Sequence, residues 1–455
     1  MQQPTSSHGK ALGAFIASHV RRELPEPVLD AARLCLADWL AVALGARDEG
    51  AGRIVRSSVD GWGGSGRSTV IYGGETSAPF AALANGTLAH CLDFDDTHMP
   101  SITHASAPVW AATLALGETT GATEAKTLSA FVVGFEVGTR VGRRLGQAVT
   151  ARGFHSTGVW GRIGAAAAGV ALLGLDDERA AHALATAATQ ASGFTASFGT
   201  MAKPFHAGKA AMDGVIAAEL AARGFEANVQ LLEPGGGLDG ALIQDGSAQL
   251  GALDFSGWEI LENSFKPYAA CHLVHPACDA ALLLATGPSV SAVHALVSPL
   301  CMQITGGAGG RPTTALAAKF DLRYCLALAL HGRGLSARDF KEPWSIDPAV
   351  AATAARITAA ASPALGVAAA RLEARTPDRR TLASDVPIGK GHPGNPMTWD
   401  DMRQKVEGLV EPQLGRAITA EMLGLVRDFG TGAHALGRLR ERLRAASNSR
   451  RQALA

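Results

Sequence analysis

The stretch Gly153-Phe154-His155-Ser156-Thr157-Gly158-Val159-Trp160-Gly161-Arg162-Ile163-Gly164-Ala165-Ala166-Ala167-Ala168-Gly169-Val170-Ala171-Leu172-Leu173-Gly174-Leu175 decides how the chain reads. From residue 163 to 175 it is the longest apolar run. That is too short to span a bilayer, and Arg162 and Asp176 flank it, so a buried core helix is expected. Glycines at 153 and 158 surround His155, and Ser156 or Thr157 is positioned to cap the helix. The run therefore couples a histidine-bearing loop to a long, small-residue helix.

The same combination occurs three more times. His104 ends Thr97-His98-Met99-Pro100-Ser101-Ile102-Thr103-His104; Lys203 and His206 lie in Lys203-Pro204-Phe205-His206; Lys266 precedes His272 and His275. A helix N-terminus offers unpaired N–H groups and the positive end of a dipole, and imidazoles or ammoniums added there make a receptor for carboxylates. Convergence of three such loops would give a pocket for a small polyanion with a base inside. Taken singly, each has a plain alternative: a solvated loop cation, or for Cys271 beside His272 a buried small hydrophobe rather than a nucleophile.

Apolar periodicity predicts helices over roughly 78–96, 104–121, 123–146, 157–174, 176–192 and 206–223, with Gly224 as the residue that ends the last. An earlier helix opens at Pro25-Glu26-Pro27 and closes near Gly45. Ser68 to Gly74 reads as an isolated strand. The character changes near residues 254–258. Beyond it come a helix at about 276–286, a strand at 291–297, helix at about 314–332, and a strand pair 369–375 and 381–386 around Thr376-Pro377-Asp378. From Thr398 helix returns, and it is expected to pack back on the first domain. The fold class is mainly α: residues 1–265 with 397–455 as an all-helical domain, and 266–396 as a smaller α+β domain.

The 455 residues carry 41 basic and 41 acidic side chains, so the formal charge is zero. That argues against nucleic acid or an anionic membrane as partner. Met1 to Lys10 has no apolar core of a secretory signal, and six cysteines without paired spacing read as reduced thiols, so a cytoplasmic protein is expected. There is no GxGxxG after a strand, no Walker loop and no convincing metal spacing.

Leu92-Asp93-Phe94-Asp95-Asp96-Thr97-His98 follows His90. If the helix continues, Asp93 and Asp96 share a face with His90. These acids can orient a base or substrate, hold a divalent metal, or simply cap the next loop. With Mg²⁺ they would suggest a prenyl-diphosphate enzyme, but that chemistry needs a second acidic cluster and none is found. A non-catalytic polycarboxylate-binding protein is a third class.

These segments, with Gly199 to Ala211, Ala318-Lys319-Phe320 and Gly391-His392-Pro393-Gly394-Asn395-Pro396-Met397-Thr398-Trp399, resemble the MmgE/PrpD family over nearly the whole chain. The family includes 2-methylcitrate dehydratase, cis-aconitate decarboxylase and iminodisuccinate epimerase. The resemblance implies a large helical domain with an α+β lid, a homodimer, and no metal or organic cofactor. It places the pocket on Asp93, Thr97, His104, His155, Lys203, Lys266 and His272. Departures are Ala105 where relatives carry proline, Asp321 where they carry serine, and a glycine-rich stretch at 305–310 where they carry a tyrosine.

The implied chemistry is proton movement at a carbon next to a carboxylate, where cations stabilise the enolate-like charge and histidine serves as base. On this reading His104 and His155 are base and acid, Asp93 orients a histidine, and Lys203 with His206, and Lys266 with His272, hold substrate carboxylates. The leading expectation is a lyase on a di- or tricarboxylic acid, dehydration ahead of decarboxylation, with epimerisation as the alternative.

Overall fold

The computed structural model describes residues 8–20, 22–284, 290–307, 312, 314–340, 348–432, 434 and 436–453. The chain is mainly α and divides into two compact units, residues 1–263 with 402–455, and residues 264–401.

The first unit begins with helices α1 (His8–Val20), α2 (Glu26–Gly45) and α3 (Gly50–Trp62), followed by α4 (Ala78–His90), α5 (Ser106–Thr120) and α6 (Glu124–Arg143). Next come a short α7 (Gly146–Ala151), α8 (Ser156–Leu173), α9 (Asp177–Ala188), α10 (Ala202–Ala222) and a short α11 (Leu238–Leu242). Helix α8 is the apolar run read from sequence, and it is buried from Ser156 to Leu172. Its small residues let backbones approach. A Cβ on Gly134 of α6 would lie 2.6 Å from the carbonyl oxygen of Gly164 in α8, so both residues must stay small. Between α4 and α10 the contact is tighter still: a Cβ on Gly208 would meet the Leu83 carbonyl oxygen at 2.2 Å. This approach sets the C-terminal end of α4, with His90, beside the first turn of α10.

Three local expectations change. Helix α4 stops at His90 rather than near 96, because Asp93 takes a left-handed conformation (φ 51°) that ends helical hydrogen bonding. Helix α10 starts at Ala202, so Lys203 and His206 lie in its opening turns rather than in a preceding loop. The strand expected over Ser68–Gly74 is a small hairpin, with Ser68–Thr69 antiparallel to Glu75–Thr76. Gly224 has φ 87° just past α10, as the helix-end reading requires.

The second unit carries a four-stranded sheet in the order Ile357–Ala361, Ala292–Val297, Ala370–Arg375, Thr381–Val386. The first pair is parallel and the others antiparallel. The hairpin around Thr376-Pro377-Asp378 is as expected; Ile357–Ala361 was not read from sequence. Ala370, Leu372 and Ala374 face inward in alternation, and α12 (His275–Leu284) packs on the two C-terminal strands. Helices α13 (Pro299–Thr305), α14 (Ala315–Lys319), α15 (Leu322–Leu330) and α16 (Pro348–Ala354) complete the unit. The helical run expected as stretches over 314–332 is α14 followed by α15. Asp321 interrupts it and caps α15 by accepting from the Tyr324 amide at 2.9 Å. Of the glycine-rich stretch 305–310, residues 308–310 lie outside the described residues.

Helices α17 (Trp399–Leu414), α18 (Arg416–Arg427) and α19 (Gly437–Ala453) follow. From Met402 onward they belong to the first unit, where α18 packs on α2. No helix among the described residues is long and apolar enough to cross a membrane.

Candidate active site

The acidic turn after α4 distributes its three carboxylates to three different partners. Asp93 Oδ1 accepts from Lys203 Nζ at 2.6 Å, and both side chains are buried. Asp95 Oδ2 accepts from His90 Nδ1 at 2.8 Å and is approached by His104 Nδ1 at 3.3 Å. Asp96 turns into the core, where its Oδ2 accepts from Asn263 Nδ2 at 2.6 Å and from the Ser106 hydroxyl. Alternation along an extended turn, not a shared helical face, explains the split. The carboxylate placed on the His90 and His104 imidazoles is Asp95, while Asp93 pairs with Lys203.

His104 stands two residues before α5. Its backbone amide donates to Thr157 Oγ1 at 3.0 Å, and Thr97 Oγ1 lies 3.4 Å from its Nδ1. Of the two residues expected to cap α8, Thr157 instead ties down the His104 loop, and the Ser156 hydroxyl donates to the Gly146 carbonyl. Nδ1 of the His104 ring thus faces both Asp95 and Thr97. The His90 ring is 4.6 Å from that of His104 and 5.7 Å from that of His155.

His155 is the N-cap residue of α8, with no side-chain cap bond of its own. Its amide donates to the Gly193 carbonyl, and its Nδ1 lies 3.1 Å from His206 Nδ1, so one ring donates and the other accepts. Phe198 crosses His155 edge-on at 5.0 Å and lies 5.5 Å from Lys203 Nζ. Behind them, buried Arg162 pairs with Asp213 at 3.1 Å and donates to Ser192 Oγ at 3.0 Å, bracing the loop that carries Gly193. Lys209, one turn past the site, pairs with Asp213 and takes no part in it.

Electrostatics follow from burial. His90 is pushed down to about 4 by desolvation, against the pull of Asp95. His155 is held well below the ordinary imidazole range by burial first, then by Lys203 and the other imidazoles. His206 is lowered by burial and then by Arg162 and Lys203. Burial alone would raise Asp95, but His90 and His104 keep it well below the usual carboxylate range. Because burial keeps His90 neutral, that ring serves Asp95 as an N–H donor rather than as a cation.

His90, Asp95 and His104 offer ligand atoms within 4.8 Å of one another, the donor types a divalent cation accepts. Here both Nδ1 atoms are directed at one carboxylate oxygen, which is a hydrogen-bonding arrangement. The three acids of the turn do not form a joint metal cluster, since each is committed to its own protein partners.

Lys266 and His272 belong to the second unit. Lys266 is buried, and the turn beside it is braced by Gly391, whose carbonyl accepts from the Phe265 amide at 3.0 Å. Gly391 has φ 89°, and a Cβ there would lie 2.0 Å from the Phe265 oxygen. That is a physical reason for the glycine in the 391–399 motif. His272 opens a short 3₁₀ turn and stacks on His275 at 5.0 Å. His275 is the first residue of α12 and its Nε2 donates to the Ala270 carbonyl. Cys271 is buried.

Sequence reasoning missed the role of Asp95 and the buried pair Asp38–Lys405, 2.6 Å apart. A signal existed for Asp38: it is a lone acid in the apolar run Leu36-Ala37-Asp38-Trp39-Leu40.

Over 209 residues the chain is 34% identical to cis-aconitate decarboxylase of Mus musculus, covering 44% of this chain and 43% of that one. For the Homo sapiens protein of that name the identity is 32% over the same length. Against cis-aconitate decarboxylase of Aspergillus terreus it is 26% over 340 residues, 68% of each chain. The match thus spans less than half the length of the two mammalian relatives. Residues 10–250 match the MmgE/PrpD N-terminal domain and residues 268–426 the MmgE/PrpD C-terminal domain, so the chain belongs to the MmgE/PrpD family.

Proposed function

We propose that the chain is a lyase that decarboxylates a small tricarboxylic acid of the cis-aconitate type. The observation that carries the reading is His104: Asp95 and Thr97 hold its Nδ1 side, beside the buried Lys203–Asp93 pair. The relatives' names move decarboxylation ahead of the dehydration that sequence alone favoured.

In the reaction the C–C bond to a carboxylate breaks and carbon dioxide leaves. The bonding pair spreads into the neighbouring double bond and carboxylate, and the carbon takes a proton. Lys203 supplies positive charge where the electron pair develops. His104 Nε2 delivers the proton, with Asp95 fixing the ring. His155, kept neutral by burial, can pass a proton on but does not compete for the anion as a cation.

The test is incubation with cis-aconitate in D₂O containing a chelator, followed by NMR and carbon dioxide release. Carbon dioxide with one deuterium on the product carbon supports the reading, and activity that chelator abolishes would move the chemistry to a metal at His90, Asp95 and His104. In parallel, 2-methylcitrate tests dehydration and iminodisuccinate tests epimerisation. Binding of all three without turnover would leave only a polycarboxylate-binding protein. The reading includes a cytoplasmic homodimer, which light scattering and cell fractionation would check.

A further inference from the structure

The acidic turn that serves the site has a second face. On that side Lys405 of α17 donates from Nζ to the Phe94 carbonyl at 2.7 Å and sits 3.9 Å from the centre of the Phe94 ring. The same ammonium pairs with Asp38 of α2 at 2.6 Å. Asp38 Oδ2 in turn accepts from the Asp96 amide at 2.9 Å. Asp96 is anchored by Ser106 and Asn263. Lys405 and Asp38 are both buried. None of these groups enters the reaction proposed above.

Residues 93–96 are therefore gripped on one side by α2, α5 and α17, and present Asp93 and Asp95 on the other. The grip acts on the backbone, through the Phe94 carbonyl and the Asp96 amide, which bracket the peptide that carries Asp95. The turn contains the left-handed Asp93, a conformation an aspartate adopts at some cost and keeps only when its surroundings hold it. Lys405 is 311 residues distant from Phe94 in sequence, so local propensity has no means of fixing this geometry.

We propose that Asp38 and Lys405 are positioning residues for the reaction: their pair sets the Asp95 carboxylate on His104 and the Asp93 carboxylate on Lys203. A buried ion pair is weak evidence for stability, since a neutral pair of similar shape is often as stable, while removal of one partner is strongly destabilising. That asymmetry separates the two roles.

The kinetic arm of the test rests on the lyase reading; the spectroscopic arm does not. Three proteins are compared: the wild type, Lys405→Met, and Lys405→Met combined with Asp38→Asn. Lys405→Met alone leaves Asp38 buried and uncompensated, and is expected to unfold at lower temperature. The double variant removes both charges and is expected to regain most of that loss. Its turnover of cis-aconitate should stay roughly tenfold to a hundredfold below wild type with little change in KM, as small misplacements of catalytic groups produce. Independently of any substrate, the downfield proton resonances of imidazole N–H groups donating to Asp95 should be present in the wild type and shifted or broadened in the double variant. A double variant that stays unfolded, or one that folds with wild-type imidazole resonances, overturns the proposal. If the wild type fails to turn over cis-aconitate, the lyase reading fails and the resonances still decide the positioning role.

Discussion

Lys203 Nζ lies 2.6 Å from Asp93 Oδ1 although the residues are 110 apart in sequence, and both side chains are shielded from water. The lysine is thus held ready in one place by its own counter-ion, without an anionic ligand. On the proposed reading, a substrate carboxylate arriving there would share a cation already fixed, and would lose less to side-chain ordering than on a solvated lysine.

Lys203→Met should reveal this arrangement in two ways. Asp93 would lose the ammonium paired with it, and breaking a buried pair costs about 3–5 kcal/mol. Affinity for a polycarboxylate should also fall. Lys203→Met with Asp93→Asn should regain much of the stability but none of the affinity. Thermal unfolding and calorimetric titration with citrate separate the two effects; a double variant that binds citrate normally would remove Lys203 from the site.

His104→Ala and Asp95→Asn should lower turnover far more than ligand affinity. Loss of a positioned acid–base group typically costs about a hundredfold to ten-thousandfold in rate. Asp95→Asn keeps the ring but weakens its anchor, so its defect should be the smaller one. Steady-state kinetics beside direct titration give the comparison, and a His104→Ala protein with near-normal kcat would refute the assignment.

Stability should vary with pH in opposite senses at two buried groups. His90 titrates at about 4 in the folded chain against 6.5 ordinarily, so below pH 6.5 the unfolded chain binds a proton that the folded chain refuses. Its contribution is complete above 6.5 and lost as pH falls toward 4, by about 3 kcal/mol in all. Asp96 is raised to about 7 by burial and then by Asp38, so there the folded chain binds the extra proton. That contribution is complete below about 4 and lost as pH rises through 7. Between pH 4 and 6.5 the two slopes oppose. Denaturant unfolding of His90→Gln should therefore lose stability with rising pH relative to wild type, and Asp96→Asn should gain it. Parallel profiles for all three proteins would contradict both assignments.

Gly208→Ala tests how the site is assembled. The added methyl would meet the Leu83 carbonyl oxygen at 2.2 Å, and a backbone atom cannot swing away as a side chain can. Separation of α4 from α10 should cost about 1–3 kcal/mol and lower turnover by displacing His90 from Lys203. Unchanged melting temperature and kcat would show that the two helices tolerate the shift.

The sequence by itself determined the helical character of the first unit and the hairpin at 370–386. Periodicity is local, and the histidine loops at 104 and 155 announce themselves by the glycines and small residues around them. It did not reveal the parallel strand Ile357–Ala361, whose Ala-rich run has no alternation and gains its place from pairing with Ala292–Val297. Nor could it say which acid serves which cation. Asp93, Asp95 and Asp96 are chemically equivalent on paper. Their directions are set by a left-handed turn and by Lys405 and Asp38, which arrive from helices far along the chain. Buried charges choose partners by proximity in three dimensions, because desolvation forbids them to stand unpaired. That choice belongs to the tertiary structure alone.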